Sequence, residues 1–224
     1  MKILIVAAHP DDEVLGAGGT IARHIRNGDQ VTIAILGEGI TSRYLNRDEA
    51  NPKLVVDLKT KSRHSSEIMG CKDLKFFDLP DNRFDSINLL DIVKVVEGLV
   101  EQTQPGIVYT HHYGDLNIDH MITSRAVLTA CRPLPKAVVR RVLAFEVPSA
   151  TGWGMPEQAF IPNVFIDITE TIQTKLAAVK AYSSEVRPFP HPRSPEALMA
   201  RAQMRGSEAG VLVAEAFVLL RELS

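Results

Sequence analysis

The chain has 224 residues, 45% of them hydrophobic, enough to bury one sizeable core, and it reads as a single domain spanning residues 1–224. Its formal charge of −2 offers no general attraction for phosphate backbones or anionic lipid, which argues against nucleic-acid partners and against membrane insertion. Cys71 and Cys131 lie too far apart for a zinc knuckle or a redox pair and read as core residues of a reducing compartment. With no signal-type or membrane-length apolar run, a soluble cytoplasmic protein is expected.

In chain order, short β-branched apolar runs alternate with segments of helical period, the pattern of buried parallel strands joined by crossover helices. The spacing predicts strands over 2–8, 30–36, 74–77, 107–110 and 142–146, and helices over 14–27, 55–69, 89–103 and 118–131. After these come a loop over 148–162, a strand over 164–168, a helix over 171–182 and a proline-rich connection over 187–195. The expected fold is α/β: a Rossmann-like, mostly parallel sheet flanked by helices. In such sheets ligands sit beyond the carboxyl ends of the strands, where His9 follows the first strand and the histidine-rich stretch 111–120 follows the fourth.

The segment Ala8-His9-Pro10-Asp11-Asp12-Glu13 puts dense charge at the end of a buried-looking strand, a costly arrangement unless a metal or a reaction uses it. His9 and Asp12, three apart at a strand-to-helix turn, can converge on one metal ion, leaving Asp11 free to take a proton from a water that the ion acidifies. Asp115-Leu116-Asn117-Ile118-Asp119-His120 supplies a third ligand, for which His120 is chosen. The plainer alternative is that Asp11 and Asp12 cap a helix, a role that needs no histidine. Gly16, Gly18 and Gly19 stand in the order G-x-G-G behind three acidic residues that would repel a pyrophosphate, so they read as close helix packing.

The AHPDDE segment, the Gly-Gly behind it and the distant Asp-His pair together resemble the LmbE-like (PIG-L) family. The resemblance extends to Leu79-Pro80-Asp81-Asn82-Arg83-Phe84, Tyr109-Thr110-His111-His112, and the stretch from Arg187-Pro188 to His191-Pro192-Arg193-Ser194. It implies a Rossmann-like, zinc-dependent deacetylase of N-acetyl-amino-sugars (a glycan, sugar nucleotide or glycolipid precursor) that releases acetate and a free amine. Zinc, or another divalent ion, would be held by His9, Asp12 and His120, with Asp11 as general base. Homo-oligomerisation is also implied, with no interface legible.

One departure matters: the family's His-x-Asp-His reads Asn117-Ile118-Asp119-His120 here. Asn117 can donate a hydrogen bond to an oxyanion but cannot shuttle a proton, so the acid role falls to His112, Asp115 or His191. Alternatively, His111 and His112 are one core and one solvated histidine. Asp119 is expected to orient a neighbouring side chain. The polar stretch 37–53, with Thr41, Ser42, Arg43, Tyr44 and Arg47, reads as a lid over a small sugar. Arg63 resembles an arginine the family places near substrate hydroxyls; Arg83, Arg187 and His191 complete the expected substrate contacts, or the arginines are surface ion-pair partners. The rival functions are cleavage of another amide, such as a thiol-sugar conjugate, and a non-catalytic metal- or sugar-binding module.

Overall fold

The computed structural model describes every residue except Lys136. Among these described residues seven strands form one sheet: β1 (Lys2–Ala7), β2 (Gln30–Gly37), β3 (Asp73–Leu79), β4 (Ile107–His111), β5 (Arg141–Phe145), β6 (Val164–Asp167) and β7 (Ala214–Glu222), in the order β3-β2-β1-β4-β5-β7-β6. The first five run parallel, whereas β7 lies antiparallel to both β5 and β6. Among the described residues six α-helices cover the sheet: α1 (Asp12–Arg26), α2 (Pro52–Met69), α3 (Leu89–Thr103), α4 (Ile118–Ala130), α5 (Ile172–Ala181) and α6 (Pro195–Ala209).

Because β1 is buried on both faces, its sequence is a continuous apolar run and not an alternation. Ile3 and Ile5 pack with Val14, Ile21, Leu58 and Val179 from α1, α2 and α5; Leu4 and Val6 pack with Ile92, Val96 and Val127 from α3 and α4. Cys71 and Cys131 are free and buried, one in each of these two layers. The chain steps outward from β1 to β3, then returns to place β4 on the other side of β1. This reversal opens a crevice beyond the carboxyl ends of β1 and β4.

The predicted strands and helices up to residue 182 appear with ends moved by a few residues at most. Sequence pattern alone marked no element beyond residue 195, yet α6 and β7 lie there. The signals for α6 were present: Ser194 caps it by accepting the N–H of Ala197 at 3.0 Å, Pro195 opens it, and Gly210 ends it at φ 72°. Strand β7 was hidden by Glu215 and Arg221, which interrupt its apolar run.

Helix α1 is two helices joined at Ala17, whose φ of −140° and ψ of 16° are not helical. Beyond the break, the N–H groups of Gly19 and Thr20 donate to the Glu215 carboxylate at 2.9 and 2.7 Å. Lys175 neutralises that carboxylate at 2.6 Å and also donates to the Leu15 carbonyl at 2.8 Å. The glycines serve packing: a Cβ on Gly16 would lie 2.3 Å from Phe145 Cδ2, and one on Gly19 would lie 2.8 Å from Ile168 Cδ1.

Candidate active site

Two strand ends bring the site together. His9 follows β1, Asp12 opens α1, and His120 sits in the first turn of α4, which Asn117 caps by accepting the N–H of Asp119 at 2.9 Å. Asp12 Oδ2 lies 3.3 Å from His9 Nδ1 and 3.1 Å from His120 Nε2. These residues offer three ligand atoms within 4.8 Å of one another. Neither acidic residue caps α1 through its side chain in the expected way: Asp11 makes no cap bond, and Asp12 Oδ2 accepts the N–H of His9 at 2.9 Å.

The remaining imidazole nitrogens face buried carboxylates from behind. His9 Nε2 is bonded to Asp119 Oδ2 at 2.8 Å, and Asp119 Oδ1 accepts the N–H of Phe84 at 2.9 Å. His120 Nδ1 lies 3.2 Å from Asp115 Oδ2, which also accepts the Thr151 hydroxyl at 2.6 Å. Each histidine thus turns one nitrogen toward Asp12 and the other toward a buried carboxylate, the arrangement that fixes ring orientation at metal sites. His111 stacks on His120 with centroids 3.9 Å apart, and its Nε2 accepts the N–H of Ala8 at 2.8 Å, so that lone pair is unavailable to a metal. Burial and the neighbouring His120 hold the His111 pKa well below its usual value.

Burial opposes charge on both candidate histidine ligands, yet hydrogen bonds to Asp119 and Asp12 push His9 up to about 10. Asp12 and Asp115 likewise overcome burial and push His120 up to about 9, and the same contacts hold Asp12 well below the usual carboxylate range although burial acts the other way. The carboxylates therefore draw two positive charges into the cluster, the charge a divalent ion would bring. The donor set, two imidazoles and a carboxylate, fits a catalytic zinc ion with a position left open.

Asp11 stands beside this cluster with φ 100°, a left-handed backbone that a non-glycine residue adopts only when held. Its N–H donates to Glu13 Oε2 at 3.1 Å, and Glu13 in turn accepts the hydroxyl of the buried Tyr182. Burial pushes Glu13 up to about 8 and Asp11 to about 7, the latter against the pull of Arg193. Arg193 Nη1 meets Asp11 Oδ2 at 2.5 Å.

His9, Asp11, Asp12 and His120 face a cavity of about 220 Å³, closed by the chain ends of β2, β3 and β5 and by the segment between α5 and α6. Asn117 lines it and donates to Asn82 at 2.8 Å. A larger hollow of about 490 Å³ at the opposite end of the sheet, beside Lys2 and Cys71, holds none of the three candidate ligands.

Several expected residues lie elsewhere. His112 is bonded to the Gln158 carbonyl at 2.8 Å and packs against Phe160, outside the cavity. Asp115 sits behind His120, where it orients that ring and cannot reach a substrate. His191 accepts the N–H of Arg193 at 3.1 Å and does not line the cavity. Arg63 is exposed over the Phe76 ring, Arg83 reaches the Leu45 carbonyl and Arg187 the Ser184 carbonyl; none of the three lines the cavity. Two other arginines do, Arg43 of the expected lid and Arg193, each bonded to a carboxylate. Arg193 lies in the resembling stretch, and its place just before the Ser194 helix cap is the one signal the sequence offers for it.

The fold and site define an α/β protein with a His-Asp-His cluster at the topological switch of its sheet. The family model PIG-L, "GlcNAc-PI de-N-acetylase", matches residues 4–131, and the chain belongs to this family. That family is named for the hydrolytic removal of the N-acetyl group of an N-acetylglucosaminyl compound. A relative named "Uncharacterized deacetylase YaiS", from Escherichia coli (strain K12), is 29% identical over 81% of this chain and 90% of its own. The 4-oxalmesaconate hydratase of Pseudomonas putida is 30% identical, over 81% of this chain and 73% of its own. The structure of an N,N'-diacetylchitobiose deacetylase from Pyrococcus horikoshii superposes with a TM-score of 0.78 over 98% of this chain and 84% of that one. At 20% identity it speaks to the fold alone.

Proposed function

We propose that the protein is a zinc-dependent deacetylase of a small N-acetyl-amino-sugar, a reading carried by the convergence of His9 Nδ1, Asp12 Oδ2 and His120 Nε2 beside Asp11. Zinc held by His9, Asp12 and His120 would lower the pKa of water toward about 7 and polarise the amide carbonyl. Asp11 takes the proton of the attacking water. Among the described residues the cavity is lined by no histidine besides His9 and His120, and Asn117 carries no transferable proton. The protonated Asp11 carboxyl therefore passes its proton to the leaving nitrogen as the C–N bond breaks, giving acetate and a free amine. Asn117, already orienting its amide through Asn82, offers its second N–H to the carbonyl oxygen.

Acetate release from free and nucleotide-linked N-acetyl-hexosamines, by protein stripped of metal and then given zinc, tests the reading. Zinc-restored release supports it; one zinc per chain with no release from any substrate overturns it. The 30%-identical hydratase relative favours a second reading, water addition to an unsaturated acid by the same water-activating pair. Against that reading, both cavity arginines are already bonded to carboxylates. Loss of ultraviolet absorbance from 4-oxalmesaconate, measured alongside acetate, separates the two. A reducing, cytoplasmic setting belongs to the proposal, supported by the free buried cysteines. So does one domain over residues 1–224, supported by the participation of all seven strands in one sheet. No helix among the described residues is long and apolar enough to cross a membrane.

A further inference from the structure

The segment joining α5 to α6 converges on Asp11 from two directions. Tyr182, at its start, holds the Asp11 backbone through Glu13, and Arg193, at its end, holds the carboxylate. Arg193 is itself fixed at three points. Its Nε donates to Ser149 Oγ at 2.8 Å, its backbone N–H to His191 at 3.1 Å, and its Nη1 lies 3.5 Å from Glu185, a buried carboxylate that also accepts Arg43 at 2.6 Å. Among the described residues no other side chain donates to the Asp11 carboxylate. We propose that Arg193 is a positioning residue for the reaction: it clamps Asp11 Oδ2 and so aims Oδ1 at the attacking water and the leaving nitrogen.

This rests on the reading that Asp11 moves protons. The planar guanidinium suits the task because Nη1 and Nε point in fixed directions, one to Asp11 and one to Ser149; an ammonium keeps the charge but cannot make both contacts. A carboxylate swung about 1 Å from its working place is enough to cost on the order of 100-fold in rate.

The test compares wild type with Arg193→Ala and Arg193→Lys, each loaded with zinc. Arg193→Ala should lose on the order of 100-fold in kcat with KM little changed, and millimolar guanidinium should restore part of it. Arg193→Lys should stay impaired although the charge is kept. In the cobalt(II)-loaded proteins, the pH at which the visible spectrum changes should move between wild type and Arg193→Ala. An unchanged kcat overturns the proposal, and so does a loss that guanidinium does not reverse with a spectral transition superimposable on wild type. If wild type releases no acetate from any sugar, the deacetylase reading fails, while the cobalt transition still decides whether Arg193 governs the metal-site water.

Discussion

Asp11 stands in a backbone conformation few side chains adopt, and its neighbours His9 and Asp12 offer candidate ligand atoms, so substitutions here should have separable effects. Asp11→Asn keeps the shape and should retain one zinc per chain while losing about 10²- to 10⁴-fold in turnover, the usual worth of a proton-transfer group. His120→Ala should lose both; metal retained at the wild-type level there, by elemental analysis, would exclude His120 as a ligand. The raised pKa values give a further signature. With His9 near 10 and His120 near 9, both imidazoles are protonated at neutral pH in the metal-free protein and must each give up a proton to ligate. Zinc affinity should therefore climb with pH through neutrality and level off above the two pKa values. Calorimetry in buffers of different ionisation enthalpy should show roughly two protons released per zinc at pH 7. A buffer-independent heat would mean that the imidazoles do not ligate.

At the scale of elements, the glycine pattern of α1 separates packing from flexibility. Gly16→Ala drives a methyl into the Phe145 ring, 2.3 Å from Cδ2, and should destabilise by about 1–3 kcal/mol in chemical denaturation. Gly98, on α3, has open space where a Cβ would stand, with nothing within 4 Å, so Gly98→Ala should stabilise by about 0.5–1 kcal/mol through helix propensity alone. Legibility divides along the same line. His9, Asp11 and Asp12 were readable because a strand-to-helix turn keeps them near one another in sequence as in space. His120 needed the second strand end and the Asp-His pair beside it. Arg193 joins Asp11 from 182 residues away, a contact with no local period to announce it. His112 misled because its place after β4 says nothing of which side of the backbone its ring takes, and here it turns toward Gln158.

For the whole molecule, the alternation of strands and helices made the parallel half of the sheet readable, whereas the antiparallel β7 depends on which gap is left to fill. That gap lies between β5 and β6, so the seventh strand in chain order enters the sheet's interior and not its edge. Until residues 214–222 arrive, β6 has no partner, and the amides of Gly19 and Thr20 lack the carboxylate that receives them. The turn bearing Asp12 comes early in the fold, yet the support beneath its helix comes from Glu215, 196 residues beyond Gly19. A chain truncated before residue 214 should therefore be protease-sensitive and hold zinc weakly, and tight metal binding would follow the docking of β7 and not guide it.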